Sequence, residues 1–406
     1  MTEEVAVQNA LAHNAEFKAR LESIGVAQGQ VLQAKKPPNP TLDLSRSTDK
    51  LFENRGEGSY GVGVTQEFET WGKRKYRVKA AQANLEKIKA DVDNFERLLI
   101  YQVRQAYFET LRAEKQKKLA DEMTGLTDHV VQLDEQRVKA GDIPEVELNL
   151  AKVELGRARQ ASRSAENQAR NARLRLNYLM GESIYNDFTV VSDFSSSRPT
   201  DKTVDQLIAF ALEHRPDLAS SGRARDVAAQ NTNLARANAK PNVSVGVEYS
   251  HDRTVFEEDS FLPRGLLDSI DETGNSMRFS FSVPLPIFNR NQGNIASAAA
   301  DQRASENLFA FTQETVRQEV ASSYNNWISA MRLRELYEKG ILPQLKDNLN
   351  SIQSAYELGG QSILAVIEQQ RTYQQVNSQY LDTLFEMQTA LDQLEAALGG
   401  RLSDVK

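Results

Sequence analysis

Residues 60–99 read YGVGVTQEFETWGKRKYRVKAAQANLEKIKADVDNFERLL, and the period of the apolar positions changes within that stretch. Up to Phe68 the period is two. Tyr60, Val62, Val64 and Phe68 alternate with Gly61, Gly63, Thr65 and Glu67, which describes a strand with one apolar and one polar face. From Lys73 onward the period is helical: Leu85, Ile88, Val92, Phe95 and Leu99 step by three and four, the seam of a coiled coil. Between Lys73 and Lys139 there is no Pro and a single Gly, Gly125. One helix of about 67 residues is therefore expected, about 100 Å long at a rise of 1.5 Å per residue.

The same succession occurs twice. Ala10-Leu11-Ala12-His13 reads against Ala211-Leu212-Glu213-His214, and Lys36-Pro37 against Lys240-Pro241. Val103 and Tyr107 read against Val320 and Tyr324, Gly141 against Gly359, and Met180-Gly181 against Leu398-Gly399. The offset grows from about 201 to about 217 residues, which places an insertion near 252–275. The expected organisation is a first repeat over 1–200, with strands about 41–70 and a long helix about 71–140. The second covers 201–406, with strands about 241–287 and a long helix about 290–358.

Each repeat opens with a breaker-poor helical stretch, about 3–35 and about 203–237, ended by Pro37 and Pro241. Leu42 and Leu44 mark the first strand. Val243, Val245, Val247 and Tyr249, then Met277, Phe279, Phe281, Val283 and Leu285, mark the second pair. Pro343 is expected to kink the second long helix. Short Gly turns follow the long helices, and shorter helices return over about 144–180 and 362–398. Four strands do not close a barrel, and open edges are not tolerated in lipid, so oligomerisation is expected. Three chains would give twelve strands, an even number.

Composition narrows the function. Hydrophobic residues make up 40% of the 406 and charged residues 26%, enough for a folded core. No stretch approaches the ~18 apolar residues of a spanning helix, which excludes a helical membrane bundle but not a β-barrel. A net charge of -7 argues against nucleic-acid binding. Cys is absent, and the four His lack the spacing of a helical metal site. No nucleophile elbow, phosphate loop or dinucleotide fingerprint occurs, so neither an enzyme nor a cofactor is expected. The opening MTEEVAVQNA has no signal-peptide pattern, as in a cytoplasmic protein or a mature chain whose signal has been removed.

This pattern, across essentially all of 3–400, resembles the TolC-like outer-membrane efflux proteins. Gln66-Glu67-Phe68-Glu69-Thr70-Trp71-Gly72-Lys73-Arg74 resembles the strand-to-helix junction of the CzcC-like branch. The segment from Pro284 to Ile295, PLPIFNRNQGNI, resembles its counterpart in the second repeat. The resemblance implies a mainly α homotrimer with a twelve-stranded β-barrel on a twelve-helix α-barrel, set in outer-membrane lipid and reaching into the periplasm. It also implies work with a periplasmic adaptor and an inner-membrane RND pump, exporting heavy-metal cations by passive conduction. The competing class is a non-conducting coiled-coil scaffold or adaptor of the periplasm.

The family closes its channel at the Gly turns. By position, Tyr356 and Glu147 match a tyrosine–acid pair of that gate, and Glu368 matches one acidic ring position. Gln361 stands where an arginine occurs in the best-known members, and Ala365 where an aspartate occurs, so the charged gate is partly missing. Rings of carboxylates favour cations; a solvated helix face is the plainer reading of the same residues. Arg137, Gly141 and Asp142 at one tip, with Gly359, Gly360 and Gln361 at the other, are the expected adaptor contacts. Tyr60, Phe68, Trp71, Tyr249 and Phe288 would form aromatic girdles or pack at strand ends. The segment His251–Glu272, with seven acids and two Arg, is expected to be the larger external loop.

Overall fold

The computed structural model describes residues 1–49, 57–191, 193–194, 201–256 and 270–405. The chain divides into two compact units. One comprises Ile24–Ile88 and Ser221–Phe309; the other comprises Met1–Ser23, Lys89–Ser220 and Ala310–Lys406. The helices are α1 (Glu3–His13), α2 (Ala15–Ala34), α3 (Lys73–Ala140), α4 (Glu145–Met180), α5 (Val204–His214), α6 (Pro216–Asn238), α7 (Gln292–Leu336), α8 (Leu342–Glu357) and α9 (Ile363–Leu398). The strands are β1 (Thr41–Thr48), β2 (Gly58–Phe68), β3 (Val243–Phe256) and β4 (Ile270–Ser282).

The first unit is built on a four-stranded antiparallel sheet in the order β1-β2-β3-β4. Register turns the sequence alternation into two faces. Leu44, Val62, Tyr249 and Met277 lie in one cross-strand row, and Leu42, Val64, Val247 and Phe279 in the next. The other face carries Asp43, Gly63, Glu248 and Arg278. Gly61 and Gly63 leave room there for the Glu248 side chain, which accepts from Arg278 at 3.5 Å. The apolar face is open: Leu44 is 73% exposed and Phe279 75%. The outer edges of β1 and β4 have no partner strand among the described residues.

The two ends of the expected external loop are strand. Residues 252–256 pair with 270–274, so both ends of the insertion continue the β3–β4 hairpin. Its middle, 257–269, lies outside the described residues.

In the second unit Val103, Tyr107, Leu176, Met180, Leu207, Val320, Trp327, Leu394 and Leu398 are among the most deeply buried side chains. The two opening helical stretches are each broken, where one continuous helix was expected. Asn14 leaves the helical region at ψ 120; its Oδ1 accepts from Phe17 N–H at 2.9 Å, restarting the chain as α2. Pro216 breaks the second stretch, because it disfavours helical geometry at Arg215, whose ψ is 121. Each break receives the end of a returning helix. Gly181 closes α4 against the His13 carbonyl, and Gly399 closes α9 against that of His214.

The kink expected at Pro343 takes the form of a π-helical turn, Tyr337–Ile341, directly before α8. Proline cannot donate to the preceding turn and its ring crowds a carbonyl there, so the helix widens by one residue. A polar network is buried in the same unit. Arg104 binds Glu3 at 2.8 Å and Glu395 at 2.6 Å, with Asp392 at 4.0 Å. Burial pushes the Asp392 carboxyl up to about 8; the charges of Glu3 and Glu395 add to this, and Arg104 opposes it.

Candidate functional site

The turns joining α3 to α4 and α8 to α9 are built alike. Gly141 and Gly359 take φ +84 and +77, a left-handed conformation that glycine adopts without strain. Gly141 N–H donates to Val138 O and Asp142 N–H to Arg137 O. Gly359 N–H likewise donates to Tyr356 O, and Gly360 N–H to Ala355 O. This pairing satisfies the last carbonyls of each helix and turns the chain back on itself. Ser362 then caps α9, its hydroxyl accepting from Ala365 N–H.

A small apolar core holds the four helix ends together. It contains Val130 and Val131 of α3, Leu148, Ala151 and Leu155 of α4, Tyr356 of α8, and Ile363, Val366 and Ile367 of α9. One polar tether runs through it. The Tyr356 hydroxyl donates to Asp134 of α3. Tyr356 is 3% exposed and Asp134 fully buried. The Arg137 guanidinium lies 5.1 Å from the Tyr356 ring centroid. Burial raises the Asp134 carboxyl above its usual range and nearby Glu147 adds to this, while the Tyr356 hydrogen bond and Arg137 oppose it. The Tyr356 hydroxyl is raised by burial and by the Asp134 charge.

Within the chain the Tyr356 hydroxyl is engaged by an acid other than the one matched by position. The acid that receives Tyr356 is Asp134, not Glu147. Glu147 sits in the first turn of α4, half-buried, close enough to bear on Asp134 electrostatically but not its hydrogen-bond partner. Glu368 stands apart, exposed on α9. Beyond it Arg371 holds Glu154 of α4 through two hydrogen bonds, at 3.0 and 2.6 Å. Gly141, Asp142, Gly359, Gly360 and Gln361 are exposed, while Arg137 is drawn inward over Tyr356. Beside the turns, Val146, Leu150 and Val153 form an exposed stripe on α4, and Leu358 is 88% exposed.

Sequence reasoning missed Asp134, although a signal was present. It lies four residues from Val130 and four from Val138, so it is the acid in an otherwise apolar seam. No group of three or more His, Asp or Glu side chains suited to a metal ion occurs among the described residues.

Helix, β-hairpin, long helix and returning helix thus occur twice along the chain, each time with a glycine turn before the returning helix. The chain belongs to the Outer membrane efflux protein family, whose profile matches residues 6–182 and 207–400, one copy per repeat. It is an outer-membrane efflux protein and not an enzyme. It is 23% identical over 401 residues to the cobalt-zinc-cadmium resistance protein CzcC of Cupriavidus metallidurans, covering 98% of this chain and 90% of the relative. It is 24% identical over 422 residues to the pyoverdine export outer membrane protein OpmQ of Pseudomonas aeruginosa, covering 98% and 85%. Among solved structures, the channel-forming protein CusC superposes with a TM-score of 0.79 at 21% identity, over 98% of this chain and 92% of that one.

Proposed function

We propose that three copies of this chain assemble into the exit duct of a tripartite efflux system. Their sheets would close a twelve-stranded barrel in the outer membrane, and their helices would extend into the periplasm. The observation that carries the proposal is the sheet itself. A four-stranded sheet with an exposed apolar face and two edges that have no partner strand among the described residues is incomplete alone. Pairing β4 of one copy with β1 of the next removes the edges, and lipid covers the apolar face.

Transport through such a duct is passive. The paired glycine turns form its periplasmic end, with the Tyr356–Asp134 bond holding α3 to α8, Glu147 half-buried beside it and Glu368 exposed on α9. Opening separates α3 from α8 and breaks the Tyr356–Asp134 bond. The exposed turns and the Val146–Leu150–Val153 stripe suit docking of a periplasmic adaptor that links the duct to an inner-membrane RND pump.

The cargo class is heavy-metal cations, supported by likeness to a cobalt-zinc-cadmium resistance protein over nearly the full length of both chains. Likeness of similar extent to a pyoverdine export protein favours a second reading, pyoverdine or a molecule like it. The test is conductance of the purified protein in a planar bilayer, followed by tolerance of a deletion strain to zinc, cobalt and cadmium. Conductance with lost metal tolerance is expected. Conductance with unchanged metal tolerance moves the cargo to the second class, and absence of conductance overturns the duct.

A further inference from the structure

Where the sheet meets its helices, charge is distributed unlike the rest of the chain. Segments 30–42, 66–80, 235–242 and 284–292 carry ten Lys and Arg against two Glu, in a protein of net charge -7. The fold gathers these segments at one level. Arg77 donates to the carbonyls of Ala34 and Lys36. Gln66 donates to Pro38 O, Thr70 to Pro241 O, and Asn291 to Ala235 O. The two acids are already engaged: Glu69 by Arg77, and Glu67 by Asn242. Lys36, Arg74, Lys75, Lys240 and Arg290 remain exposed.

Two further features share this level. Trp71, Leu285, Ile287 and Phe288 are 66%, 74%, 61% and 91% exposed, so large apolar side chains stand beside the cations. The Lys240 ammonium lies 5.6 Å from the Trp71 ring centroid, and Trp71 is held at φ +58, a costly conformation for a side chain of that size. Moreover, α3 begins with five cations among its first seven residues and no acid in its first turn. A helix N-terminus is already positive, and Glu67 and Glu69 offset only part of this charge, Glu69 by pairing with Arg77. Lys36 and Arg77 also border a shallow groove of about 530 Å³ with Gln30 and Gln33.

We propose that this junction is a binding belt for anionic phospholipid headgroups of the periplasmic leaflet. Lys36, Arg74, Lys75 and Lys240 meet the phosphates, while Trp71 and Phe288 sit at the headgroup boundary. The proposal rests on the reading of the sheet as membrane-embedded. The belt fixes the depth of the sheet in the bilayer, because both the apolar anchors and the cations are satisfied at one level only.

The test is electron spin resonance of the full chain in phosphatidylcholine vesicles containing spin-labelled phosphatidylglycerol or spin-labelled phosphatidylcholine. The motionally restricted fraction of each gives their relative affinity for the protein. A surface cation strengthens association with anionic lipid by about fivefold, so a wild-type preference of at least about fivefold for phosphatidylglycerol is expected. The combined variant Lys36→Gln, Arg74→Gln, Lys75→Gln, Lys240→Gln should bring the ratio close to one, as should high salt for the wild type. A control neutralising Lys118, Arg157, Arg159 and Arg163, exposed on α3 and α4, should keep the wild-type ratio. Should the combined variant not insert, Lys240→Gln alone and the salt titration read the same quantity. A restricted fraction without preference, or a preference that survives the four substitutions, overturns the belt and leaves the membrane reading standing. No restricted fraction with either lipid overturns both.

Discussion

Tyr356→Phe tests the tip tether with little other disturbance. The ring fills the same space, so no cavity forms, and only the hydroxyl bonded to Asp134 is lost. Tyr356 is 3% exposed and Asp134 fully buried, so water cannot replace the bond. The other carboxylate oxygen of Asp134 already has no partner, which leaves Arg137 as its remaining compensation. A hydrogen bond to a charged group contributes about 1.5–3 kcal/mol. A loss of about 2 kcal/mol corresponds to an opening equilibrium raised about thirtyfold. Amide hydrogen exchange reads this directly: rates over 130–138 and 352–358 should rise about thirtyfold, while those around Val103 and Tyr107 stay unchanged. Glu147→Gln should leave the same amides nearly unaffected, because Glu147 only repels the Asp134 charge. Unchanged exchange in Tyr356→Phe, or a larger effect from Glu147→Gln, would refute the assignment of Asp134 as the partner.

Asp392→Asn should stabilise the protein above neutral pH. The folded carboxyl titrates at about 8, well above its ordinary 3.8. The favourable contribution of the protonated group is therefore complete below about pH 4 and lost as pH rises through 8. Thermal unfolding between pH 5 and 9 should show the wild type losing stability and the variant losing less; equal slopes would remove Asp392 from the cause. Gly181→Ala should be strongly destabilising, by at least about 2 kcal/mol. Its φ is +69, and an added Cβ would lie 2.5 Å from the His13 carbonyl oxygen. Gly399→Ala, with 2.9 Å to the His214 carbonyl, should follow it, and a Tm within one degree of wild type for either would show that the close approach is not needed. Arg371→Gln should cost at most about 1 kcal/mol, because Arg371 is half exposed and salt screens it. Its hydrogen bond to Glu154 holds that carboxyl below the usual range. The contribution should therefore be present near neutral pH and vanish as pH falls through the carboxylate range, which chemical unfolding at pH 7 and pH 3 would measure.

The architecture was legible in the sequence wherever one physical rule dominated. Alternation over Tyr60–Phe68 and Val243–Tyr249 marked strands, because a sheet with two different faces must alternate. The absence of Pro from Lys73 to Lys139 marked the long helix, because nothing there could end it. The break at Asn14 was hidden, since it lies in sequence that favours helix and coincides with the end of a returning helix, whereas Pro216 marked the break at Arg215. Pro343 announced an interruption but not its form, because a kink and a π-helical turn both relieve the same clash. Chain position pointed to Glu147, whereas the partner of Tyr356 within the chain is set by which seam position faces it, and that is Asp134. Asp134 was readable as the acid among Val130, Val131 and Val138. The basic junction was readable only in pieces, because four separate segments must be folded together before their charges add.

The central claim is that copies of this chain complete one another's sheet. It is tested most directly by electron microscopy of the full-length protein extracted in detergent, with class averages viewed down the particle axis. Three protomers around a threefold axis, with β4 of each beside β1 of the next, are the expected result. A monomer that stays soluble without detergent, its apolar sheet face covered from within the chain, would contradict it.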